Sequence, residues 1–118
     1  YRLAADQGHV EAQFSLAVMY LSGQGVPQDY KEAFKWFRLA ADQGHALAQN
    51  SLGFMYAEGK GVPQDYIQSY AWFNLAGAGG QADAKKAKDD LANKMTPEQI
   101  VRAQDLSTEL DKKINAAK

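Results

Sequence analysis

Gly23-Gln24-Gly25-Val26-Pro27-Gln28-Asp29-Tyr30 returns 36 residues later as Gly59-Lys60-Gly61-Val62-Pro63-Gln64-Asp65-Tyr66. With residues 1–36 laid over 37–72, identity holds at positions 2–9, 12, 13, 15, 16, 19, 20, 23, 25–30 and 36. Self-similarity at a fixed period of this size marks a stacked repeat, in which each unit buries its apolar face against the next. The recurring stretch reads as a helix-to-helix connection. Its glycines admit positive φ, while Pro27 and Pro63 bar helical continuation. Asp29 with Glu32, and Asp65 with Gln68, then form a capping box that opens the following helix.

Upstream of the connection, residues 10–22 read as the first helix of a repeat. Ala12, Leu16, Met19, Tyr20 and Gly23 recur at the three- and four-residue spacing of one helical face. His9, His45 and Gln81 fall where an N-cap belongs. Downstream, a second helix is expected over 30–42 and again over 66–77. It carries Ala33, Trp36, Phe37 and Ala40, matched by Ser69, Trp72, Phe73 and Ala76. Large aromatics alternating with small residues let two antiparallel helices interlock. Gly8, Gly44 and Gly80 stop the helices before them as left-handed caps. Residues 1–8 match 37–44, so they read as the closing turns of a preceding repeat, and the chain reads as part of a longer array.

After residue 80 the pattern decays. Gln81 to Met95 keeps helical spacing through Ala84, Ala87, Leu91 and Met95, but its middle is charged. Thr96-Pro97-Glu98-Gln99 is a strong helix start, with Thr at N-cap, Pro at N1 and Gln at N3. The helix it opens carries Ile100, Ala103, Leu106, Leu110 and Ile114. An array ends in water through an atypical, partly polar terminal unit. The expected organisation is one continuous all-α solenoid of antiparallel helix pairs. Residues 1–8 are the tail of a preceding helix, 9–44 repeat one, 45–80 repeat two, and 81–118 capping helices whose last few residues fray.

Composition narrows the function classes. A net charge of −1 and a pI near 6.1 give no electrostatic reason to expect nucleic acid or anionic membrane. No apolar run approaches the roughly 18 residues that span a bilayer, so no membrane insertion is expected. The absence of cysteine removes disulfides and thiolate metal sites and leaves the compartment open.

The chain resembles the Sel-1-like repeat family, relatives of the tetratricopeptide repeats. The resemblance rests on Ala12, Leu16, Tyr20, Gly23-x-Gly25-Val26-Pro27-x-Asp29-Tyr30, Ala33, Trp36 and Ala40-Ala41-Asp42-Gln43-Gly44, and on the copy of this pattern through Gly80. The tetratricopeptide period is 34 residues and its inter-helix turn is shorter, so the Gly-x-Gly-Val-Pro-Gln-Asp loop argues for the Sel-1-like family. The resemblance implies a right-handed α-solenoid acting as a scaffold or adaptor for other proteins, mostly in bacteria. Cysteine-bearing members linked to β-lactam binding or hydrolysis share no cysteine with this chain, and that activity is not carried over.

Comparing the two repeats separates two arcs of the first helix. Positions 12, 13, 15, 16, 19, 20 and 23 are constant and fall on one arc, which must meet the same neighbours in every repeat. The other arc reads Phe14, Val18 and Leu21 in one repeat, and Asn50, Phe54 and Ala57 in the next. Apolar residues at helical spacing are ordinarily core, and Ala17/Gly53 marks a close helix approach. In a tetratricopeptide-like arrangement, however, first helices line the concave surface. Phe14, Val18, Leu21, Asn50, Phe54 and Ala57 are therefore the candidate partner-binding residues, forming a groove for a peptide or helix of another protein.

On the second helix the changed positions read Lys31, Glu32, Phe34, Lys35 and Arg38, then Ile67, Gln68, Tyr70, Ala71 and Asn74. The first set suits solvent. The second is too apolar for it, so a C-terminal helix or another molecule is expected to cover it.

Nothing in the sequence points to catalysis. His9 and His45 are the only histidines and share one repeat position, which argues for a structural role. Gly23-x-Gly25 lacks the third glycine of a phosphate cradle, and no Gly-x-Ser-x-Gly elbow surrounds any serine. The expectation is a non-enzymatic interaction module with no cofactor and no metal. The alternatives are a binder or hydrolase of small ligands or cell-wall fragments, and a purely architectural spacer.

Overall fold

The computed structural model describes residues 2–116, and all of its regular elements there are helices. The order is α1 (Arg2–Asp6), α2 (Val10–Ser22), α3 (Tyr30–Ala41), α4 (Ala46–Glu58), α5 (Tyr66–Ala78), α6 (Ala82–Ala92) and α7 (Pro97–Ala116). The fraying expected at the extreme C-terminus lies outside the described residues.

Asp29 caps α3 by accepting from the N–H groups of Lys31 and Glu32, each at 3.1 Å. Asp65 accepts from the N–H of Gln68 at 3.1 Å. The reciprocal half of the expected capping box is absent. The N–H of Asp29 donates to the carbonyl of Tyr20 at 2.9 Å, and that of Asp65 to Tyr56, also at 2.9 Å. The connection folds back on the end of the first helix, so a backbone carbonyl is already in place where a Glu or Gln side chain would reach. At Thr96 the box closes both ways: Thr96 N–H donates to Gln99 Oε1 at 2.9 Å, and Gln99 N–H to Thr96 Oγ1 at 3.1 Å.

Neighbouring helices pack in sequence from α1 to α6. The molecule extends over 43 × 30 × 22 Å. Trp36, Phe37, Trp72 and Phe73 fill the interior beside Ala17, Ala33, Ala40, Ala48 and Ala76, all buried. Such large-against-small packing lets helices approach closely. At the tightest point a Cβ on Gly53 would lie 2.5 Å from the Phe73 ring. Ser69 Oγ fixes that approach by donating to the Gly53 carbonyl at 2.6 Å.

Buried glutamines tie repeats together. Gln13 Nε2 donates to the Ala5 carbonyl and Gln49 Nε2 to the Ala41 carbonyl, each at 3.2 Å. One repeat on, the same two positions are Gly77 and Lys85, and the lysine stem lies against the glycine instead. The second glycine of the connection has a matching role. Gly61 sits at φ +76°, where a Cβ would come within 2.5 Å of the Tyr30 carbonyl, so the loop of repeat two abuts the start of α3.

The C-terminal region departs from the repeat. α7 packs on α5, as α6 does, and does not form a repeat-like pair with α6. Leu110 and Ile114 join the core containing Ala71 and Leu75, while Ala103 joins the one containing Tyr70. Asn74 Nδ2 donates to Ser107 Oγ at 2.8 Å. The apolar face of the second helix in repeat two is thus covered from within the chain.

Candidate interaction surface

One arc of α2 and α4 packs against the second helices. Ala12, Gln13 and Leu16 are buried there, as are their counterparts Ala48, Gln49 and Leu52. Ala17 and Gly53 are buried too, so among the changed positions this pair belongs to the core.

The six candidate residues divide. Val18 and Phe54, equivalent positions on adjacent first helices, are 37% and 43% exposed. Leu21 and Ala57 are half-buried. Phe14 is also half-buried and packs on the core: its ring centroid lies 5.7 Å from that of Phe37 and 4.7 Å from that of His45. Asn50, its counterpart, is half-buried, and its Oδ1 has no hydrogen-bond partner among the described residues.

Two depressions lie on this surface. The first, about 380 Å³, opens between α2 and α4 over Leu21, Ser51, Phe54, Met55 and Glu58, with Gln28, Tyr30 and Lys60 at its loop end. The second, about 200 Å³, lies between α4 and α6. Five positions of the first recur in the second one repeat on, as Ala57, Ala87, Asp90, Leu91 and Lys94. Phe54 borders both, and its ring meets Phe73 edge-on at 4.9 Å. The same seam is built twice, with smaller and more charged side chains the second time. Leu21, Phe54 and Ala57 are brought to these seams; Phe14, Val18 and Asn50 line neither.

Charges at the first seam largely cancel. Glu58 Oε1 lies 3.7 Å from Lys60 Nζ, which sits 5.5 Å from the centre of the Tyr30 ring. Gln28 Nε2 donates to the Leu21 carbonyl at 2.8 Å and stands 3.4 Å from the Tyr30 hydroxyl. At the second seam Asp90 and Lys94 make no ion pair among the described residues. His45 ties the two first helices together. Its Nδ1 accepts from the Ala48 N–H at 3.1 Å, capping α4, and its Nε2 lies 3.2 Å from Glu11 Oε1 on α2. His9 and Gln81 hold the same N-cap position without a side-chain bond.

Behind this surface, burial raises the pKa of the Tyr56 phenol, with the nearby Arg38 guanidinium pulling the other way. Among the described residues no three His, Cys, Asp or Glu side chains converge on a metal-sized site. No described helix is long and apolar enough to cross a membrane.

Three residues on this surface lie outside the six candidates. Leu47 is 46% exposed, and its signal was the change from Glu11 to an apolar residue at the equivalent position. Tyr30 and Met55 belong to the constant set, so their identity between repeats reads as packing alone.

The Sel1 repeat family model matches residues 1–9, 10–45 and 46–87. The crystal structure of a protective antigen present in uropathogenic Escherichia coli strains, displaying an SLR fold, is similar over 96% of this chain. Its TM-score is 0.92 and its identity 37%, and the match takes in 24% of that protein. A Sel1 repeat protein from Oxalobacter formigenes is similar over 75% of this chain and 26% of its own, with a TM-score of 0.73 and 43% identity. A curated relative, an exopolysaccharide production negative regulator from Rhizobium leguminosarum bv. viciae, is 54% identical over 35 residues. That is 30% of this chain and 13% of the relative. The chain thus spans about a quarter of the two solved relatives and less of the curated one.

Proposed function

Because the chain belongs to the Sel1 repeat family, we propose that it is a scaffold or adaptor module binding a peptide or helix of a partner protein on the face lined by α2 and α4. Sel1 repeats are generally protein–protein interaction modules and typically non-enzymatic. The observation that carries the choice of face is the exposure of Val18 and Phe54 at one repeat position on adjacent helices. Phe54 also borders both seam depressions, so a ligand at either seam touches it. On this reading Leu21 and Ala57 supply apolar walls, and Phe14 and Asn50 act from beneath.

The test compares the wild-type chain with a Val18→Ser/Phe54→Ser double variant as bait in an extract of the source cell. Folding of both is checked by circular dichroism. Phe14 is left intact because it packs on Phe37. Loss of a specific partner, at least about tenfold in affinity, is the expected result. Equal retention by a folded variant would move the site off this face.

A further inference from the structure

The joints between successive repeats use equivalent positions, yet only the first is tied by polar side chains. There His45 caps α4 and reaches Glu11 on α2, and Gln43 Nε2 donates to Gln13 Oε1 at 2.6 Å. Gln49 adds the bond from α4 to the Ala41 carbonyl. One repeat on, the counterparts are Gln81 with Leu47, Gly79 with Gln49, and Lys85 with Gly77. Leu47 and Gly79 carry no polar side-chain atom, Gln81 makes no side-chain cap bond, and Lys85 lays its stem on Gly77. Among the described residues, the side-chain hydrogen bond that ties α6 to α5 is Lys88 Nζ to Asn74 Oδ1, at 3.3 Å.

α6 is thinly packed as well. On α4 the inner arc buries Ala48, Gln49, Leu52 and Gly53. The same positions on α6 are Ala84, Lys85, Lys88 and Asp89, and of these only Ala84 is buried. The charges suit an arc that α7 leaves uncovered by packing on α5. Ala84 and Leu91 are the buried side chains of this 11-residue helix. A helix of that length is marginal without tertiary support. Depressions flank it on both sides, about 200 Å³ toward α4 and about 330 Å³ on the other side, over Asn74, Gly77 and Lys85. Phe73 of α5 borders both.

α6 can lift without freeing its neighbours. Leu110, Ile114 and the Asn74–Ser107 bond hold α7 on α5 independently of it. Its entry, Gly77-Ala78-Gly79-Gly80, stands where the earlier turn reads Ala41-Asp42-Gln43-Gly44, and suits the backbone rotation that a hinge absorbs. Segments with few buried apolar contacts open at a lower free energy than the core around them.

We infer that α6 opens locally while the rest of the chain stays folded, and that it is the adjustable wall of the interaction surface. α2 and α4, latched through His45, form the fixed wall. Lifting α6 uncovers Phe73 beside Phe54, so the second depression widens into a larger apolar site. That this wall serves a ligand rests on the interaction role proposed above; the opening itself does not.

The chain has no cysteine, so a single introduced thiol reports on its own position. Ala84→Cys and Ala48→Cys alter equivalent positions of α6 and α4, both 0% exposed. Each variant, folded by circular dichroism and with the wild-type urea midpoint, is labelled with iodoacetamide at urea concentrations below the unfolding transition. The Ala84→Cys thiol should react at least about tenfold faster than the Ala48→Cys thiol. Its rate should vary little with urea, because local opening exposes little surface, whereas the Ala48→Cys rate should climb steeply. Adding Gln81→Asp, which supplies the cap that α6 lacks, should slow the Ala84→Cys reaction about fivefold and leave Ala48→Cys unchanged. Equal rates with equal urea dependence, or a cap that slows neither reaction, overturns the inference. Where Ala84→Cys does not fold, amide exchange of the wild-type chain decides. Residues 85–92 should then exchange at least about tenfold faster than 49–55, and equal exchange overturns the inference. If both thiols react alike while the Val18→Ser/Phe54→Ser variant loses its cellular partner, the interaction surface stands and the movable wall falls. If the labelling contrast holds while that variant keeps its partner, α6 still opens and its role as a wall of this surface falls.

Discussion

The outward faces of α4 and α5 pose the same problem and are treated differently. On α5, Tyr70, Ala71 and Leu75 would stand in water, but α7 lies over them and buries all three. On α4, Leu47 and Phe54 remain exposed although a long C-terminal helix is available to cover apolar surface. The comparison teaches that exposure on the first helices reflects where the covering helix goes, and not a lack of covering elements. On the equivalent face of α3, Lys31 and Lys35 are solvated, and Leu39, the counterpart of Leu75, is left 41% exposed. The interaction reading proposed here rests on that contrast.

The largest expected effect lies at the α5–α7 contact. Leu110→Ala removes a buried side chain and should cost about 2–4 kcal/mol in urea unfolding. It should also speed amide exchange over residues 66–78. Unchanged exchange there would mean that α7 does not seal the face. Next is Gly53→Ala, which gives repeat two the alanine that repeat one carries at Ala17. With the Phe73 ring 2.5 Å from the new Cβ, a loss of about 1–3 kcal/mol is expected from overpacking. A neutral result would show that the two repeats are packed alike. Asp65→Ala removes the cap of α5 and should cost about 1 kcal/mol by thermal or urea denaturation.

Phe54→Ser is expected to cost less stability than Leu110→Ala. It forfeits an edge-on ring pair with Phe73, worth about 1 kcal/mol, from a side chain already half in water. A denaturation midpoint shifted as far as that of Leu110→Ala would place Phe54 in the core and erase the contrast between α4 and α5.

Much of this was legible in the sequence, for a physical reason. A position that meets the same neighbours in each repeat keeps its residue, so the identity between 1–36 and 37–72 marked the packing arc and the ends of α2. The apolar set Ile67, Tyr70 and Ala71 was too dry for water, which pointed to a covering helix. The double capping box at Thr96 needs only local chemistry and formed as read.

What was not legible depends on neighbours that differ between repeats. Phe14 and Val18 share the changed arc of α2, yet Phe14 is drawn in by Phe37 and His45 while Val18 is left out. The missing half of the Asp29 box turns on the Tyr20 carbonyl, which only the folded connection brings near. The packing of α7 on α5 instead of beside α6 likewise follows from which faces remain apolar once α6 is in place.

The most direct test is hydrogen–deuterium exchange of the chain with and without the partner captured by the wild-type bait. Added protection across residues 10–22 and 46–58, with none across 30–41, is the predicted result. Protection confined to 30–41 or to the outer side of α7, with α2 and α4 unchanged, would contradict it.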